Sequence, residues 1–352
     1  MDLKNKLFDI HEFYNLSRYL FLNIECNYNN FVKKTTITLP QLRVLWIIKI
    51  FQGISLGEIA KIGCWSPPTV TKIIKLLMEK NLVVREETIN KKLYSLNLTE
   101  AGHNLIKLNR MKKHDKAALI QLLSAVNEED LNFTIEILKS ITVYSNNSFL
   151  FEYIDKLNEL GLKIDFSDFN SEEKFMLQKL VLFYNLLRTF ILTLVNNHRK
   201  LLSVFKLTYP QLRALWIIDA FPGITSVRLS KLAYLAPSTV NVIVKKLYEK
   251  NLIYKEKSEL KNSLFLYTSE SGEKLLVKEF DVNQKSFLIY KDLEFLSRNE
   301  LLKLNQFMLK LNLVLKNDFV EKYIERTFTV IEKRLYPMTS IRNTPNFYES
   351  GR

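Results

Sequence analysis

Residues that build tight turns and covalent cross-links are scarce in this sequence. Only 8 glycines and 8 prolines occur among its 352 residues, which argues against sandwiches and barrels, because those folds need many turns. The two cysteines, Cys26 and Cys64, are too few for a disulfide framework. Long segments rich in Leu, Ile, Lys, Asn and Glu instead predict a mainly α fold, and the chain length suits two domains.

The sequence also lacks the side-chain groupings of catalytic and metal sites. Its four histidines show no metal-ligand spacing, no cysteine cluster accompanies them, and no glycine-rich phosphate loop is present. Acidic pairs such as Glu86-Glu87 are adjacent residues typical of a solvated surface. We therefore expect no enzyme, with no catalytic residue, no metal and no cofactor.

No apolar run is long enough to require a membrane. The most apolar one, Leu180–Val195, is interrupted by Asn185 and Arg188 and is short for a bilayer, so it predicts a buried amphipathic helix. The N-terminus carries Asp9 and Glu12 where a signal peptide would need an apolar core. These features predict a cytoplasmic protein with no membrane partner.

Basic residues outnumber acidic ones. Against 51 Lys and Arg stand 37 Asp and Glu, which gives a net charge of +14. Such a surplus either serves solubility alone or favours a polyanionic partner, because Lys and Arg neutralise the phosphates of nucleic acids. Charge alone leaves both interpretations open.

An internal repeat determines the architecture. Residues 40–48 return at 210–218, and the offset of 170 holds without a gap from Thr38 to Gly102, where 28 of 65 positions are identical. Chance does not produce such agreement, so the chain is a duplication. We predict two units and two further segments: a first unit over 1–145, a connector over 146–170, a second unit over 171–335 and a loose tail over 336–352.

Both units have the same predicted order of elements. Ser55 with Glu58 forms a capping-box pattern, and Ser66 is expected to cap the following helix. Asn81 and Asn251 follow equivalent helices where a left-handed residue is expected. In the first unit we predict helices over 6–33, from 40, over 56–62 and 67–80, a hairpin with strands at 82–84 and 93–98, and helices over 103–125 and 128–145.

This order, together with Ser66–Lys72 and Leu98–Gly102, resembles the MarR family of bacterial transcription regulators, and residues 45–63 are similar to its Hpr-type branch. Members are normally homodimers whose terminal helices interlock and which present two winged helices to adjacent major grooves. The resemblance implies two winged helix-turn-helix units with small β-hairpin wings on a shared helical body, a single-chain pseudo-dimer. Two independent domains on a tether are the alternative.

The resemblance places the start of each recognition helix at base edges in the major groove. With Val70, Ile73 and Leu77 packed inward, the first helix presents Pro68, Thr69, Thr71, Lys72 and Lys75. The second presents Ser238, Thr239, Asn241, Lys245 and Lys246, with Val242 in the place of Lys72. Asn241 suits adenine whereas Val242 suits only a thymine methyl, so we expect an asymmetric operator with half-sites about 10 bp apart.

The wings depart from the family pattern. MarR-type wings usually carry an Asp–Arg pair whose arginine enters the minor groove, and neither wing here supplies that arginine. Phosphate contact would fall instead to lysines, which read DNA shape less strongly than an inserted arginine. These wing candidates are Lys91, Lys92, Lys257 and Lys261.

Together these features predict a sequence-specific regulator of transcription that binds double-stranded DNA, by family analogy a repressor, in the bacterial cytoplasm and at the nucleoid when bound. The alternative is a winged-helix protein-interaction module with weakened or lost DNA binding, which Val242 and the wings support. The resemblance also leaves open association into a further homodimer, and a small aromatic effector bound among Phe13, Tyr14, Trp46, Phe183, Tyr184 and Trp216.

Overall fold

The computed structural model confirms a mainly helical chain with two small antiparallel sheets. It describes residues 2–32, 36–87, 94–108, 117–143, 152, 155–156, 168–202, 205–257, 264–286 and 293–315. The connector over 146–170 therefore lies largely outside the described residues, and the tail over 336–352 lies wholly outside them.

The first unit contains seven helices and two strands within the described residues. They are α1 (Asp2–Val32), α2 (Leu39–Ile50), α3 (Leu56–Gly63), α4 (Pro67–Glu79), β1 (Val83–Glu87), β2 (Tyr94–Leu98), α5 (Glu100–Leu108), α6 (Ala118–Leu123) and α7 (Glu128–Val143). β1 pairs antiparallel with β2, from Val83 opposite Leu98 to Glu87 opposite Tyr94.

The second unit repeats this order. Its elements are α8 (Ser171–Leu202), α9 (Tyr209–Ala220), β3 (Ile224–Thr225), α10 (Ser226–Ala233), α11 (Pro237–Glu249), β4 (Ile253–Lys257), β5 (Leu264–Thr268), α12 (Glu270–Ser286) and α13 (Arg298–Val314). Here β3 adds a third strand beside β5, where the first unit has only a single bridge between Ile54 and Leu96.

Local hydrogen bonds fix the ends of the helices around each turn. The Ser55 hydroxyl accepts from the Glu58 amide at 3.3 Å, and the Glu58 carboxylate accepts from the Ser55 amide at 2.8 Å, which confirms the capping box. Asn81 and Asn251 have φ of 54° and 56°, which confirms the left-handed conformation after α4 and α11. The capping box and the two left-handed asparagines could therefore be predicted from residues close together in the sequence.

Ser66 does not cap α4 with its side chain, contrary to our expectation. Its carbonyl already accepts from the amides of Thr69 and Val70, at 3.0 and 3.2 Å. The Ser66 hydroxyl turns instead to the Thr69 hydroxyl, 2.8 Å away. The first turn is therefore closed by backbone and by a side-chain pair.

The single helix predicted over 103–125 is also wrong. The described part of α5 runs to Leu108, and α6 begins at Ala118, directly after Ala117, whose extended conformation with ψ of 138° interrupts the helix. The Ala118 amide donates to the Asn27 side chain on α1 at 2.9 Å. A contact with α1, far away in the sequence, therefore caps α6.

The terminal helices of the two units exchange partners. α1 of the first unit packs along α13 of the second, and α8 of the second packs along α7 of the first. Phe13 meets Phe190 between α1 and α8 at a ring separation of 5.6 Å, and Phe183 meets Phe307 at 6.3 Å. The units therefore share one helical body, made of α1, α6, α7, α8 and α13.

α8 contains the apolar run Leu180–Val195, which was predicted to form a buried helix. Ser171–Val195 is long and apolar enough to cross a membrane by length and composition. Within the fold, 61% of its apolar window is buried, against α1, α6 and α7. Packing in the helical body accounts for its composition.

Candidate nucleic-acid interface

The apolar stripe of α4 seats this helix and leaves its opposite face outside. Val70, Ile73, Ile74 and Leu77 are buried, where α4 packs on α2 and α3. Val240, Ile243, Val244 and Leu247 hold α11 in the same way. The spacing of these residues at three and four positions forces the intervening side chains outward.

All five predicted residues of the first recognition helix are exposed: Pro68, Thr69, Thr71, Lys72 and Lys75. The Thr71 hydroxyl donates to the Pro67 carbonyl at 3.0 Å, which leaves its oxygen lone pairs directed away from the backbone. α4 therefore offers two hydroxyl groups and two ammonium groups on one outward face.

The second recognition helix is equally open but chemically different. Its predicted residues Ser238, Thr239, Asn241, Lys245 and Lys246 are exposed. Lys245 lies 3.9 Å from Glu249 one turn further on, and Val242 leaves 55% of its surface in solvent. An amide and a branched apolar group stand where α4 has a hydroxyl and an ammonium group.

Only part of the wings falls within the described residues. Lys257 is exposed at the end of β4, whereas Lys91, Lys92 and Lys261 lie outside the described residues. The roles of these four lysines stay predictions.

Two further cations, which were not predicted from the sequence, lie on the wing strands. The Arg85 guanidinium lies over the Tyr94 ring, 3.1 Å from its centroid, and the Lys255 ammonium lies 4.5 Å from the centroid of Tyr248. Arg85 and Lys255 are equivalent at the offset of 170. Comparing the two repeats could therefore have identified Arg85 and Lys255 from the sequence, because both copies carry a basic residue at this position.

An arginine side chain bonds the turn before each recognition helix, from α8 of the helical body in the first unit and from α9 in the second. Arg188 on α8 donates to the Gly63 carbonyl at 2.9 Å and lies 5.5 Å from the Trp65 ring centroid. In the second unit Arg213 donates to the Ala233 carbonyl, which is equivalent to that of Gly63. The last carbonyl of the helix before each of these turns is therefore held by an arginine.

The side chains around Arg188 and those around Arg213, which we call the first and the second docking cluster, differ in charge. In the first, Arg43 forms an ion pair with Glu25, and the Tyr184 hydroxyl also donates to that carboxylate. Burial acts to raise the pKa of Glu25, but Arg43 and Arg188 more than offset it and hold that pKa below its usual range. The carboxylate therefore stays ionised between the arginines.

The second cluster has no equivalent of that carboxylate, because Val195 stands at the position of Glu25. Burial, and then the neighbouring charge of Arg18, lower the pKa of Arg213 to about 10. Arg18 lies over the Tyr209 ring, 5.3 Å from its centroid. Two cations thus share this cluster with aromatic rings.

The aromatic residues considered for an effector mostly fill the core. Phe13, Tyr14, Phe183 and Tyr184 are buried in the cluster of apolar side chains that unites the helical body. The Tyr14 and Tyr209 hydroxyls are hydrogen-bonded at 2.8 Å. Packing alone is enough to explain why these aromatic residues are here.

Comparison with known proteins matches both units. The MarR family model matches residues 37–90 and 207–259. The HTH-type transcriptional regulator Hpr of Halalkalibacterium halodurans is 29% identical over 105 residues, 29% of this chain and 54% of that protein. Hpr of Geobacillus thermodenitrificans is 30% identical over 101 residues, 28% of this chain and 50% of that protein. The chain spans about half the length of these curated relatives.

Two solved structures are among those that match part of this chain. The transcriptional regulator SlyA is 19% identical, with a TM-score of 0.30 over 41% of this chain and 91% of that chain. FabT of Streptococcus pneumoniae, solved in complex with DNA, is 17% identical, with a TM-score of 0.27 over 32% of this chain and 83% of that chain.

The two matched segments coincide with the duplicated region. The first runs from before α2 into the wing after β1, and the second runs from before α9 into the wing after β4. The resemblance inferred from the sequence, including its distant similarity to Hpr, is thereby confirmed. The MarR family model therefore matches this chain twice, once in each winged helix-turn-helix unit.

Proposed function

We propose that this protein is a transcription regulator, acting as a repressor, that binds double-stranded DNA sequence-specifically. The observation that carries the proposal is the equal exposure of α4 and α11 at equivalent positions. Each helix follows a helix whose first turn is capped by a side chain. Helix-turn-helix proteins insert such a helix into the major groove with its N-terminal residues at the bases.

The proposed DNA contacts divide by chemistry. The candidates comprise the outward residues of α4, those of α11, and the four wing lysines. Lys72, Lys75, Lys245 and Lys246 are suited to phosphates, while Thr69, Thr71 and Asn241 can bond base edges. We add Arg85 and Lys255 on the wing strands as phosphate contacts.

The shared helical body supports a pseudo-dimer. Each unit contributes one long N-terminal helix and one C-terminal helix, and each pairs with those of the other unit. In this proposal residues 1–145 and 171–335 act as the two protomers of a covalent dimer on one operator. The further homodimer, the small aromatic effector and the cytoplasmic location stay predictions.

An interaction module for another protein is the second candidate. Exposed apolar side chains on the second unit support it: Val227, Val242 and Tyr248 leave 67%, 55% and 50% of their surfaces in solvent. Apolar groups on a DNA-facing surface reach only thymine methyls. This candidate predicts binding that does not depend on nucleic acid.

A binding selection on random duplex DNA, followed by titration at several salt concentrations, tests the proposal. For the native chain, the logarithm of the binding constant should fall with the logarithm of salt by about 0.9 per phosphate contact. Lys72→Ala/Lys75→Ala should weaken binding and reduce that slope by about two.

Lys139→Ala/Lys310→Ala is the matched control, since it removes two charges from α7 and α13 of the helical body. It should leave both affinity and slope near the native values. A recognition-helix variant that binds the same sites with native affinity would overturn the assignment of α4.

A further inference from the structure

The helical body contains two interfaces that correspond to each other through the duplication. One joins α1 to α13, and the other joins α8 to α7. At the offset of 170, α1 corresponds to α8 and α7 corresponds to α13. Any residue pair in one interface therefore has a counterpart in the other, and the two can be compared directly.

Each interface has an ion pair at the same place, but with the signs reversed. Between α1 and α13, the Arg298 Nε lies 3.0 Å from the Asp9 carboxylate. Between α8 and α7, the Lys179 Nζ lies 2.7 Å from the Glu128 carboxylate. Position 9 corresponds to 179, and position 128 corresponds to 298.

The inner member of each pair is sheltered from water. The side chains of Asp9 and Lys179 are only 5% and 19% exposed, against 47% and 54% for Arg298 and Glu128. Lys179 also donates to the Asn132 side chain at 2.7 Å. Charges in such surroundings are screened weakly, so a like charge opposite them would be costly.

Pairing two copies of the same unit would bring like charges together. Two first units would place Asp9 opposite Glu128, and two second units would place Lys179 opposite Arg298. We propose that these reversed charges make the two units specific for each other, so that each helical surface fits the other unit and rejects a second copy of itself. This inference goes beyond the proposed function and does not depend on DNA binding.

A third ion pair separates the mixed pairing from a pair of two first units. Lys303 on α13 lies 3.0 Å from the Glu129 carboxylate and 3.4 Å from that of Asp130, both on α7. The counterpart of Lys303 in the first unit is Phe133. Two first units would thus place an aromatic ring where the mixed pairing places a cation.

The test exchanges the outer charges in the full chain, where partial exposure allows a new side chain to fit. Glu128→Arg/Arg298→Glu leaves the composition and the net charge unchanged. Both positions are the first residue of a helix, α7 and α13, so one acidic and one basic group still sit at the two helix starts. Only the pairing of charges across the interfaces is reversed.

Three variants are compared by thermal unfolding and by light scattering over a wide range of protein concentration. We expect the exchanged variant to unfold roughly 2–4 °C below a neutral control, Glu128→Gln/Arg298→Gln. Adding Asp9→Lys/Lys179→Asp to the exchanged variant restores opposite charges and should recover that loss. The exchanged variant alone should form a two-chain species as its concentration rises.

Two results of the unfolding measurements and one of the light scattering would overturn the inference. One is an exchanged variant that is no less stable than the neutral control, because repulsion then has no part in pairing. The other is a fourfold variant that recovers nothing, because the loss would then come from packing. The same two-chain species in the native protein at equal concentration would also count against it.

Discussion

At the scale of single residues, Glu12 on α1 shows how burial sets a pH dependence. Burial, and then the charge of Asp9, raise the pKa of its carboxyl from 4.5 to about 7. The folded chain then binds this proton more tightly than the unfolded chain does. The free energy of unfolding therefore falls as the pH rises from 4.5 through 7.

Glu12→Gln should remove this contribution. Between about pH 5 and about pH 8 the native protein should lose roughly 1–3 kcal/mol through this group, and the variant should be spared that loss. Urea unfolding at the two pH values measures the difference, with Glu79→Gln on the exposed surface of α4 as the control. Parallel pH profiles for the native protein and Glu12→Gln would contradict this explanation.

Residue-scale features were predictable where their cause is local. Asn81 takes φ of 54° because it directly follows a helix, and Ser55 caps α3 because Glu58 stands three residues on. Glu12 gave no such signal, since its pKa depends on which face of α1 the rest of the chain covers. The counterpart Leu182 was the available hint that this position is buried.

At the scale of elements, the start of α6 is decided by a residue 91 positions away. The Asn27 side chain on α1 accepts from the Ala118 amide at 2.9 Å. The sequence alone predicted one helix over 103–125, where the described residues belong to two helices. A cap that a distant helix supplies cannot be predicted from the sequence pattern of the helix that it caps.

Asn27→Ala should therefore destabilise the chain by about 1 kcal/mol, the usual effect of losing a capping side chain. Asn29→Ala serves as the control, since Asn29 lies exposed on the same helix. The free energy of unfolding from denaturant titration measures both. Equal losses in the two variants would assign the effect to α1 itself rather than to the start of α6.

At the scale of the whole molecule, the duplication explains why the architecture is repeated. The differences between the two copies explain why the molecule is asymmetric. Equivalent apolar stripes reproduce the same winged helix twice, which is why the repeat alone was enough to predict two units. The differences fall at contacts between units: Glu25 against Val195, and Asp9 against Lys179. The sequence contained these differences, but their meaning requires knowing that α1 lies along α13.

The same asymmetry makes a prediction about DNA, which rests on the proposed function. In the N-terminal halves of α4 and α11 the exposed positions differ at three places: Pro68 against Ser238, Thr71 against Asn241, and Lys72 against Val242. If these residues determine the half-sites, the native chain selects two unlike sequences. Ser238→Pro/Asn241→Thr/Val242→Lys gives the N-terminal half of α11 the same exposed residues as the N-terminal half of α4.

That variant should select an operator with two similar half-sites about 10 bp apart, because both helices then offer the same groups to the major groove. The reciprocal change, Pro68→Ser/Thr71→Asn/Lys72→Val, should also yield two similar half-sites, but of the sequence that the native second unit prefers. Selection of binding sites from random duplex DNA with each variant determines the sequence of both half-sites. If the selected operators keep the native asymmetry, the discrimination lies outside these three positions, and the wings become the next part of the molecule to exchange.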